Sequence, residues 1–567
     1  MIWKVSFQNR AVGISSRFIS LVSFCEFSFG FQARANPGFV NFFRMALCLA
    51  MVAALAPCAR ADVRLAKIFA DHVVLQRDLP VNVWGWAEPG ESVTVKFDGQ
   101  SVATVADAQG RWTAKLVPMK LNAVPQDLVV AGKNEVKVSD VLVGDVWLCS
   151  GQSNMPFSLG GADAEADIKV ANFPSIRFLS YWEHFAAEPQ ADVTSASWKR
   201  VTPATAAGCA AVPFYFARKI FQETNVPIGL LVSAVGGTEI ECWMPPAAFT
   251  DYPANADIGR RLQSAIKNYE RAVPASVEAM EKWIVIAKQA VAEQRSVPAP
   301  PRFPLHPNLD RGGNWVRIQS LYNGMIHPLT PFAIKGAIWY QGENNGAEDE
   351  SYFLKQKAMI ETWRKLWGYD FPFYLVQLAN YRPANDDPSG GAREWQYGRR
   401  AQFKCLSLPK TGMAVTIDVG EAGDIHPKNK LDVGERLAVW ALAKDYGRAD
   451  VVCSGPLYRG IKIDGAKIRV SFDSVGTGLM IGKKEGRKPA IEDKGGTLKR
   501  FAIAGEDKQW HWAEAVIDGE TVVVSSPAVA NPLAVRYAFS MNPEGCNLYN
   551  KNGLPASPFR TDDWPPK

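Results

Sequence analysis

The distribution of apolar residues changes twice along the chain. Between residues 62 and 140, short segments such as "SVTVKF" and "RWTAKL" alternate apolar and polar positions, and Gly- and Pro-containing turns separate them. This pattern predicts half-buried antiparallel strands, so we expect an N-terminal, sandwich-like β domain over residues 62–140. The alternation returns after about residue 450, in "KIRVSF" and "TVVVSS", and predicts a second β domain over residues 449–567.

Between these two regions, the apolar segments are continuous rather than alternating. Five of them recur along the chain: "VGDVWLCS", "PIGLLVSAVGG", "IKGAIWYQG", "FPFYLVQLA" and "GMAVTID". Runs that are apolar at every position suit parallel strands buried on both faces. Segments of helical periodicity lie between the runs, which predicts a doubly wound α/β domain over residues 141–448. An Ala-, Glu- and Lys-rich stretch at about 252–305 predicts a helical insertion in it.

The N-terminal 61 residues have the pattern of a leader. An apolar run at 46–56 follows Arg44, and "ARA" at 59–61 fits a cleavage site of small residues before Asp62. A true start near Met45 fits this arrangement. The run is too short to span a bilayer comfortably, so we expect a cleaved signal peptide and no membrane span in the mature chain. The protein is therefore expected to be exported, either to the periplasm or as a secreted protein.

Composition narrows the possible partners. The chain of 567 residues is 47% hydrophobic and 21% charged, with a net charge of +6 and no run of basic residues. These values are ordinary for a globular protein and argue against nucleic-acid binding. The cysteines form neither a CxxC motif nor a Cys/His cluster of metal-binding spacing, which argues against a metal held by cysteines. We expect no metal and no cofactor.

Polar residues gather at the predicted ends of the parallel strands, where ligands bind in open α/β sheets. The first strand ends before Ser153, and the second runs into Gly236 and Gly237. The third is followed by an amide-rich turn, and a loop after the fifth carries Asp424 and His426. The sequence thus brings a hydroxyl, a glycine pair, amides and an Asp-x-His motif toward one edge of the sheet.

This set of groups fits acyl transfer. A serine hydroxyl needs an adjacent base, an imidazole can take and return its proton, and a carboxylate can orient that imidazole. Of the six histidines, His426 alone combines a predicted position at the correct end of the sheet with an acid two residues before it. We therefore predict Ser153 as nucleophile and His426 as base. Asp424 is predicted as the acid, with Glu421 and Asp418 as alternatives near the same loop.

The tetrahedral intermediate of acyl transfer needs hydrogen-bond donors aimed at its oxyanion. Backbone N–H groups of Ser153 and of Gly236 or Gly237 are candidates, and the side-chain amide of Gln341 or Asn344 would add another. Candidates for substrate contact lie in the same strand ends: Trp243, Tyr340 and Glu343.

Several blocks together resemble the sialate O-acetylesterase family of SGNH hydrolases, from about residue 66 to the C-terminus. They are "GQSNM", "GGTEIECW", "YNGMIHPL", "IKGAIWYQGENN", "FPFYLVQLA", "DIHPKNK" and "GERLAVWA". The resemblance implies a flavodoxin-like α/β domain flanked by β domains. It also implies an exported, metal-free serine esterase that removes O-acetyl groups from carbohydrates through an acetyl-enzyme intermediate.

Three alternatives remain open from the sequence. One is an acetyl xylan esterase of the same mechanism. Another is a glycosidase that would use Glu343 with Glu239 or Glu241 as a carboxylate pair. The third is a carbohydrate-binding protein with an inert α/β centre, although binding alone does not require Ser, His and Asp together.

Overall fold

The computed structural model describes residues 62–180, 183–310 and 317–565, so the predicted leader lies outside the described residues. Within them, the helices are α1 (Glu165–Val170), α2 (Ala211–Thr224), α3 (Ala247–Thr250), α4 (Ala256–Ala292), α5 (Glu350–Trp367), α6 (Trp395–Lys404) and α7 (Lys430–Asp445). The strands of the N-terminal and central regions are β1 (Arg64–Leu65), β2 (Val74–Gln76), β3 (Val81–Trp86), β4 (Ser92–Phe97), β5 (Gln100–Val105), β6 (Arg111–Leu116), β7 (Asn122–Ala131), β8 (Glu135–Gly151), β9 (Phe173–Ser180), β10 (Lys199–Val201), β11 (Ile228–Ala234), β12 (Gly336–Tyr340), β13 (Phe373–Val376) and β14 (Thr411–Ala414). The C-terminal strands are β15 (Leu457–Asp464), β16 (Lys467–Asp473), β17 (Leu479–Lys483), β18 (Ile491–Glu492), β19 (Phe501–Ala504), β20 (Trp510–Trp512), β21 (Glu514–Asp518), β22 (Thr521–Ser525), β23 (Ala534–Tyr537), β24 (Leu548–Asn550) and β25 (Phe559–Arg560).

A large mixed sheet forms the centre of the fold. Its path runs β10-β9-β11-β8-β12-β13-β14, in which β9, β11, β8, β12, β13 and β14 are parallel and β10 is antiparallel to β9. The five continuous apolar runs of the sequence all form parallel strands, as predicted. The sixth parallel strand, β9, was not predicted, because the proline and arginine in its sequence "FPSIRFLS" interrupt the apolar run.

The burial of the parallel strands explains why their sequences do not alternate. Along β8, Val146 and Leu148 belong to one hydrophobic core, while Trp147 and Cys149 belong to a second core. Residues of α5 and α6 join the first core, and residues of α2 and α7 join the second. The sheet therefore carries helices on both faces, and each strand residue meets an apolar layer.

The N-terminal strands do not form a separate sandwich. Strand β8 is 17 residues long, and its first half pairs with β7 (antiparallel) and β2 (parallel) before its second half enters the parallel sheet. Through β8 and β7, strands β2, β4, β5 and β7 belong to the same 11-stranded sheet, while β1, β3 and β6 form a small sheet beside it. One continuous hydrophobic core joins these strands to the face that carries α5.

The C-terminal strands form antiparallel sheets of four, three and four strands, with the orders β15-β16-β22-β21, β18-β17-β24 and β20-β19-β23-β25. The fold is thus a mixed α/β structure with one large sheet and several antiparallel sheets. The predicted helical insertion is α4, a helix of 37 residues with Pro274 inside it. None of the helices in the described part of the chain is long and apolar enough to cross a membrane.

Candidate active site

The end of β8 forms a tight turn that carries Ser153. Met155 N–H donates to the Gln152 carbonyl at 2.8 Å, so Ser153 and Asn154 occupy the two central positions of the turn. Gly151 precedes it with φ of +133°, and a Cβ at this position would lie 2.1 Å from the Tyr340 carbonyl oxygen on β12. Only glycine fits there, because neighbouring backbone occupies the space. The strand can therefore approach β12 closely and still turn at once into the serine.

The loop between β14 and α7 brings His426 to this serine. The Ser153 Oγ and His426 Nε2 atoms are 2.8 Å apart, although 273 positions separate them in the sequence. The ring of Phe157 stacks on the imidazole with centroids 5.9 Å apart and planes inclined by 18°. The His426 side chain is 34% exposed, which leaves room for a substrate to reach the pair. A hydroxyl and an imidazole in this arrangement can exchange a proton directly.

Asp424 is the acid beside the imidazole, although its contact is indirect. Its Oδ1 accepts the backbone N–H of His426 at 2.8 Å and lies 3.7 Å from His426 Nδ1. The other two acids considered from the sequence are engaged elsewhere. The side chain of Asp418 is buried and forms two hydrogen bonds with Arg436, of 2.6 and 2.8 Å, and Glu421 accepts the backbone N–H of Lys428 at 2.7 Å. Of the three acids, Asp424 is thus the one that lies beside the imidazole and contacts the backbone of the same residue.

The turn after β11 supplies the glycine pair. A Cβ placed on Gly236 would lie 3.2 Å from the Ser153 Cβ, whereas a Cβ on Gly237 would have no neighbour within 4 Å. Gly237 has φ of +65°, a left-handed conformation that keeps the turn tight. Of the two glycines, Gly236 is thus the one whose backbone lies against the serine.

The two amides expected from the third strand end differ in their availability. Gln341 is fully buried, and its Nε2 donates to the Thr238 carbonyl at 3.1 Å and to Asn345 Oδ1 at 2.8 Å. Both hydrogens of that amide are used, so Gln341 holds the turns together and has none left for an oxyanion. Asn344 is exposed, its Oδ1 accepts from Gln152 Nε2 at 3.1 Å, and its Nδ2 makes a long 3.3 Å contact with Glu239. Asn344 is the amide that a substrate can reach.

The expectation of substrate contact needs correction for two aromatic residues. Trp243 is 0% exposed, packs edge-on against Trp339 and donates its indole N–H to Thr238 Oγ1 at 3.1 Å. Tyr340 is also buried, within the sheet. Neither ring offers a face to a sugar, because both belong to the hydrophobic cores that hold the strand ends.

Glu343 is likewise held inside the protein rather than presented to a substrate. Its Oε1 accepts from Asn154 Nδ2 at 2.7 Å, and its Oε2 is buried without a hydrogen-bond partner among the described residues. Burial raises the pKa of this carboxyl group. Of the two partners considered for it, Glu241 is bound to Lys355 at 2.5 Å, and Glu239 contacts the Asn344 amide at 3.3 Å. These carboxyl groups therefore do not form the exposed pair that glycoside hydrolysis requires.

Sequence reasoning missed two residues beneath the serine. Asn154 Nδ2 donates to the Ile425 carbonyl at 3.1 Å, and Asn154 Oδ1 accepts a short hydrogen bond from Lys430 Nζ. Lys430 is 1% exposed, and burial lowers its pKa to about 7, although nearby carboxylates, Glu343 first among them, oppose this effect. In the sequence "HPKNK", Lys430 resembles a residue of an ordinary charged loop, and no local signal reveals its burial.

A cleft of about 670 Å³ opens beside Gly236, between the ends of β9 and β11. Its lining includes Ser180, Glu183, Ser195, Ser197 and Lys199, which can hydrogen-bond or pair with a polar molecule. In the described part of the chain, His, Cys, Asp and Glu side chains form no group of three or more that could hold a metal ion.

The chain is similar to carbohydrate esterases in sequence and in structure. The model of a carbohydrate esterase family, the sialic acid-specific acetylesterases, matches residues 143–285 and 311–442. The crystal structure of a carbohydrate acetylesterase from Xanthomonas citri is 38% identical and has a TM-score of 0.72, covering 88% of this chain and 100% of the other. The sialate O-acetylesterase of Mus musculus is 28% identical over 562 residues, or 90% of this chain and 97% of the mouse protein. That of Homo sapiens is 29% identical over 546 residues, or 88% and 92% of the two chains.

Together with the fold, these similarities define a carbohydrate acetylesterase, a carboxylic ester hydrolase that acts on acetylated carbohydrates. Within that class, the chain belongs to the sialic acid-specific acetylesterase family.

Proposed function

We propose that this carbohydrate acetylesterase is a serine esterase in which Ser153 is the nucleophile and His426 the general base. The observation that carries the proposal is the 2.8 Å separation of Ser153 Oγ and His426 Nε2 at the carboxyl end of the parallel sheet. Both side chains are partly exposed, and the tight turn lifts the hydroxyl away from the buried strand.

The reaction follows from these positions. As Oγ bonds to the acetyl carbon, its proton passes to His426 Nε2 and the carbonyl electrons move to oxygen. The ester bond to the sugar then breaks, and the sugar oxygen takes the proton from Nε2. Water repeats the sequence on the acetyl-enzyme, which releases acetate and restores the serine. Asp424, 3.7 Å from Nδ1, stabilises the imidazolium that forms in each half.

The oxyanion of each tetrahedral intermediate needs donors on the Gly236 side of the serine. We assign the backbone N–H groups of Ser153 and Gly236 to this role, with the exposed amide of Asn344 as a third donor. The proximity of Gly236 to the Ser153 side chain supports the assignment, and Gly237 serves the turn. Each such donor contributes about 3–4 kcal/mol to the transition state of acyl transfer.

We infer that the sugar binds in the polar cleft beside Gly236 and that sialate O-acetyl esters are substrates. The names of the mouse and human relatives support this inference, as does Lys199, which would place a cation near a sugar carboxylate. An acetyl xylan esterase would have no use for that cation. Acetate release from acetylated sialic acids and from acetylated xylo-oligosaccharides, measured in parallel, distinguishes the two.

We also propose that the sheet is the doubly wound sheet of SGNH hydrolases. Helices on both faces of six parallel strands support this assignment. The residue pattern at 46–61 supports export of a mature chain that begins at Asp62, with β-rich regions over 62–140 and 449–567 on either side of the α/β domain at 141–448.

Hydrolysis of p-nitrophenyl acetate by the wild type and by Ser153→Ala tests the mechanism. We expect the variant to lose at least about a thousandfold in kcat, because the remaining groups cannot form the acetyl-enzyme. Ser158→Ala, which changes an exposed serine of the same segment, is the matched control and keeps its activity. Equal turnover by Ser153→Ala and the wild type would exclude the proposed nucleophile.

A further inference from the structure

The side-chain amide of Asn154 joins three segments beneath the reacting pair. Its Nδ2 contacts Glu343 Oε1 at 2.7 Å and the Ile425 carbonyl at 3.1 Å, and its Oδ1 faces Lys430 Nζ. Asn154 directly follows Ser153 in the chain, and Ile425 directly precedes His426. One amide therefore connects the neighbour of the serine to the neighbour of the histidine.

The chemistry of these partners fixes the orientation of the amide. The lysine amine donates through its N–H groups whether or not it is charged, and a backbone carbonyl only accepts, so Lys430 faces the amide oxygen and the Ile425 carbonyl faces the amide nitrogen. A rotation of 180° about the last side-chain bond of Asn154 would oppose two oxygens at Ile425 and two donors at Lys430. The lysine thus excludes the orientation in which Asn154 would repel the histidine loop.

The position of Lys430 is costly for a cation. It is the first residue of α7, where the helix dipole is positive, and it is 1% exposed. The rings of Phe157 and Tyr340, whose centres lie 5.0 and 5.5 Å from Nζ, attract a cation but replace only part of its hydration. Burial in this place disfavours the charged form. An apolar side chain would avoid that cost, but it would not direct the amide of Asn154.

We propose that Lys430 is a positioning residue for the esterase reaction: by donating to Asn154 Oδ1, it makes Nδ2 bind the Ile425 carbonyl and so keeps His426 within reach of Ser153. The proposal rests on the proposed function, because it assumes that Ser153 and His426 react. It assigns to Lys430 and Asn154 no contact with the substrate.

Steady-state kinetics on p-nitrophenyl acetate test the proposal with the full chain. For Lys430→Met we expect kcat to fall at least about 30-fold while KM stays within about threefold, because the serine–histidine alignment is lost and the substrate contacts are not. Lys430→Gln returns a donor that points toward Asn154, and we expect it to recover at least about tenfold of that loss. Lys428→Met removes an exposed lysine from the same loop and is expected to match the wild type.

Asn154→Asp gives an independent test if Lys430→Met does not fold. The substitution preserves shape and the acceptor for Lys430, but it removes the donor to the Ile425 carbonyl, so we expect the same fall in kcat with KM retained. A folded Lys430→Met enzyme with kcat within threefold of the wild type would overturn the proposal, as would equal losses for Met and Gln or full activity of Asn154→Asp. If Ser153→Ala is inactive in the same series, such a result removes the role of Lys430 and leaves the esterase mechanism standing.

Discussion

The buried ammonium of Lys430 should make the stability of the protein rise with pH above neutrality. Burial lowers its pKa from 10.5 to about 7 in the folded state. Between these two values, the unfolded chain binds a proton at this lysine that the folded chain does not bind. The free energy of unfolding therefore increases with pH across this window, since deprotonation of the unfolded state removes a penalty on folding. Below about pH 7, both states are protonated and the contribution of Lys430 is constant.

The size of the effect follows from the difference between the two pKa values. One pKa unit corresponds to about 1.4 kcal/mol, so the full difference corresponds to about 5 kcal/mol between pH 7 and 10.5. Glu343 acts in the other direction at lower pH. Because burial raises its pKa, the folded state holds its proton longer, and this group lowers stability as pH rises above 4.5 through its folded pKa. The stability should therefore be measured between pH 7 and 10, where the protonation of Lys430 differs between the folded and unfolded states.

Urea unfolding of the wild type and of Lys430→Met at pH 7, 8, 9 and 10 isolates the lysine. Tyrosines and cysteines also titrate in this range, but they are common to both proteins and cancel in the difference. We expect the wild type to gain at least about 2 kcal/mol relative to the variant between pH 7 and 10. A difference that stays constant within about 0.5 kcal/mol between pH 7 and 10 would contradict this prediction, because it would mean that the ammonium is as well solvated in the folded state as in the unfolded chain.

Two further substitutions test the site and its support. Asp424→Asn keeps an acceptor for the His426 N–H and loses only a charge 3.7 Å from Nδ1. We therefore expect kcat to fall about 10- to 100-fold, less than the roughly 10⁴-fold typical of an acid bonded directly to the imidazole. A loss as large as that of Ser153→Ala would contradict the indirect role. Gly151→Ala forces a Cβ to within 2.1 Å of a backbone oxygen at a positive φ, so we expect a melting temperature lowered by several degrees or failure to fold, whereas Gly423→Ala, whose Cβ meets nothing within 4 Å, should melt like the wild type.

The parts of the fold that repeat a simple physical pattern were predictable from the sequence. Continuous apolar runs identified five of the six parallel strands, and helical periodicity between these runs predicted helices that connect the strands. The end of α5 follows from Gly368, which takes φ of +80° after Trp367. The arrangement of the N-terminal strands was harder to predict, because an alternating pattern indicates a strand but not the strand it pairs with. These strands join the central sheet because β8 is long enough to pair with both.

In the candidate site, too, some residues were predictable from the sequence and others were not. The contact between Ser153 and His426 was predictable, because ligand-binding residues of a parallel sheet lie beyond the carboxyl ends of its strands, which is a rule about topology. Lys430 was missed because its hydrogen-bond partner Asn154 lies 276 positions earlier in the chain. Trp243 was assigned to the substrate because aromatic residues bind sugars, yet its neighbours in space are other aromatic rings of the core. Local sequence does not distinguish these two environments.

Strand β8 has a consequence for how the chain can be divided. Its 17 residues begin in the N-terminal sheet, beside β7, and end at Gly151, two residues before Ser153, the proposed nucleophile. Ser153 is therefore attached to a strand whose N-terminal half lies outside the α/β region. A shortened protein that starts near residue 141 would lack the first residues of β8. It would also lack β2 and β7, with which β8 pairs before it enters the parallel sheet. We expect the N-terminal strands to be inseparable from esterase activity, rather than an accessory that can be exchanged or deleted.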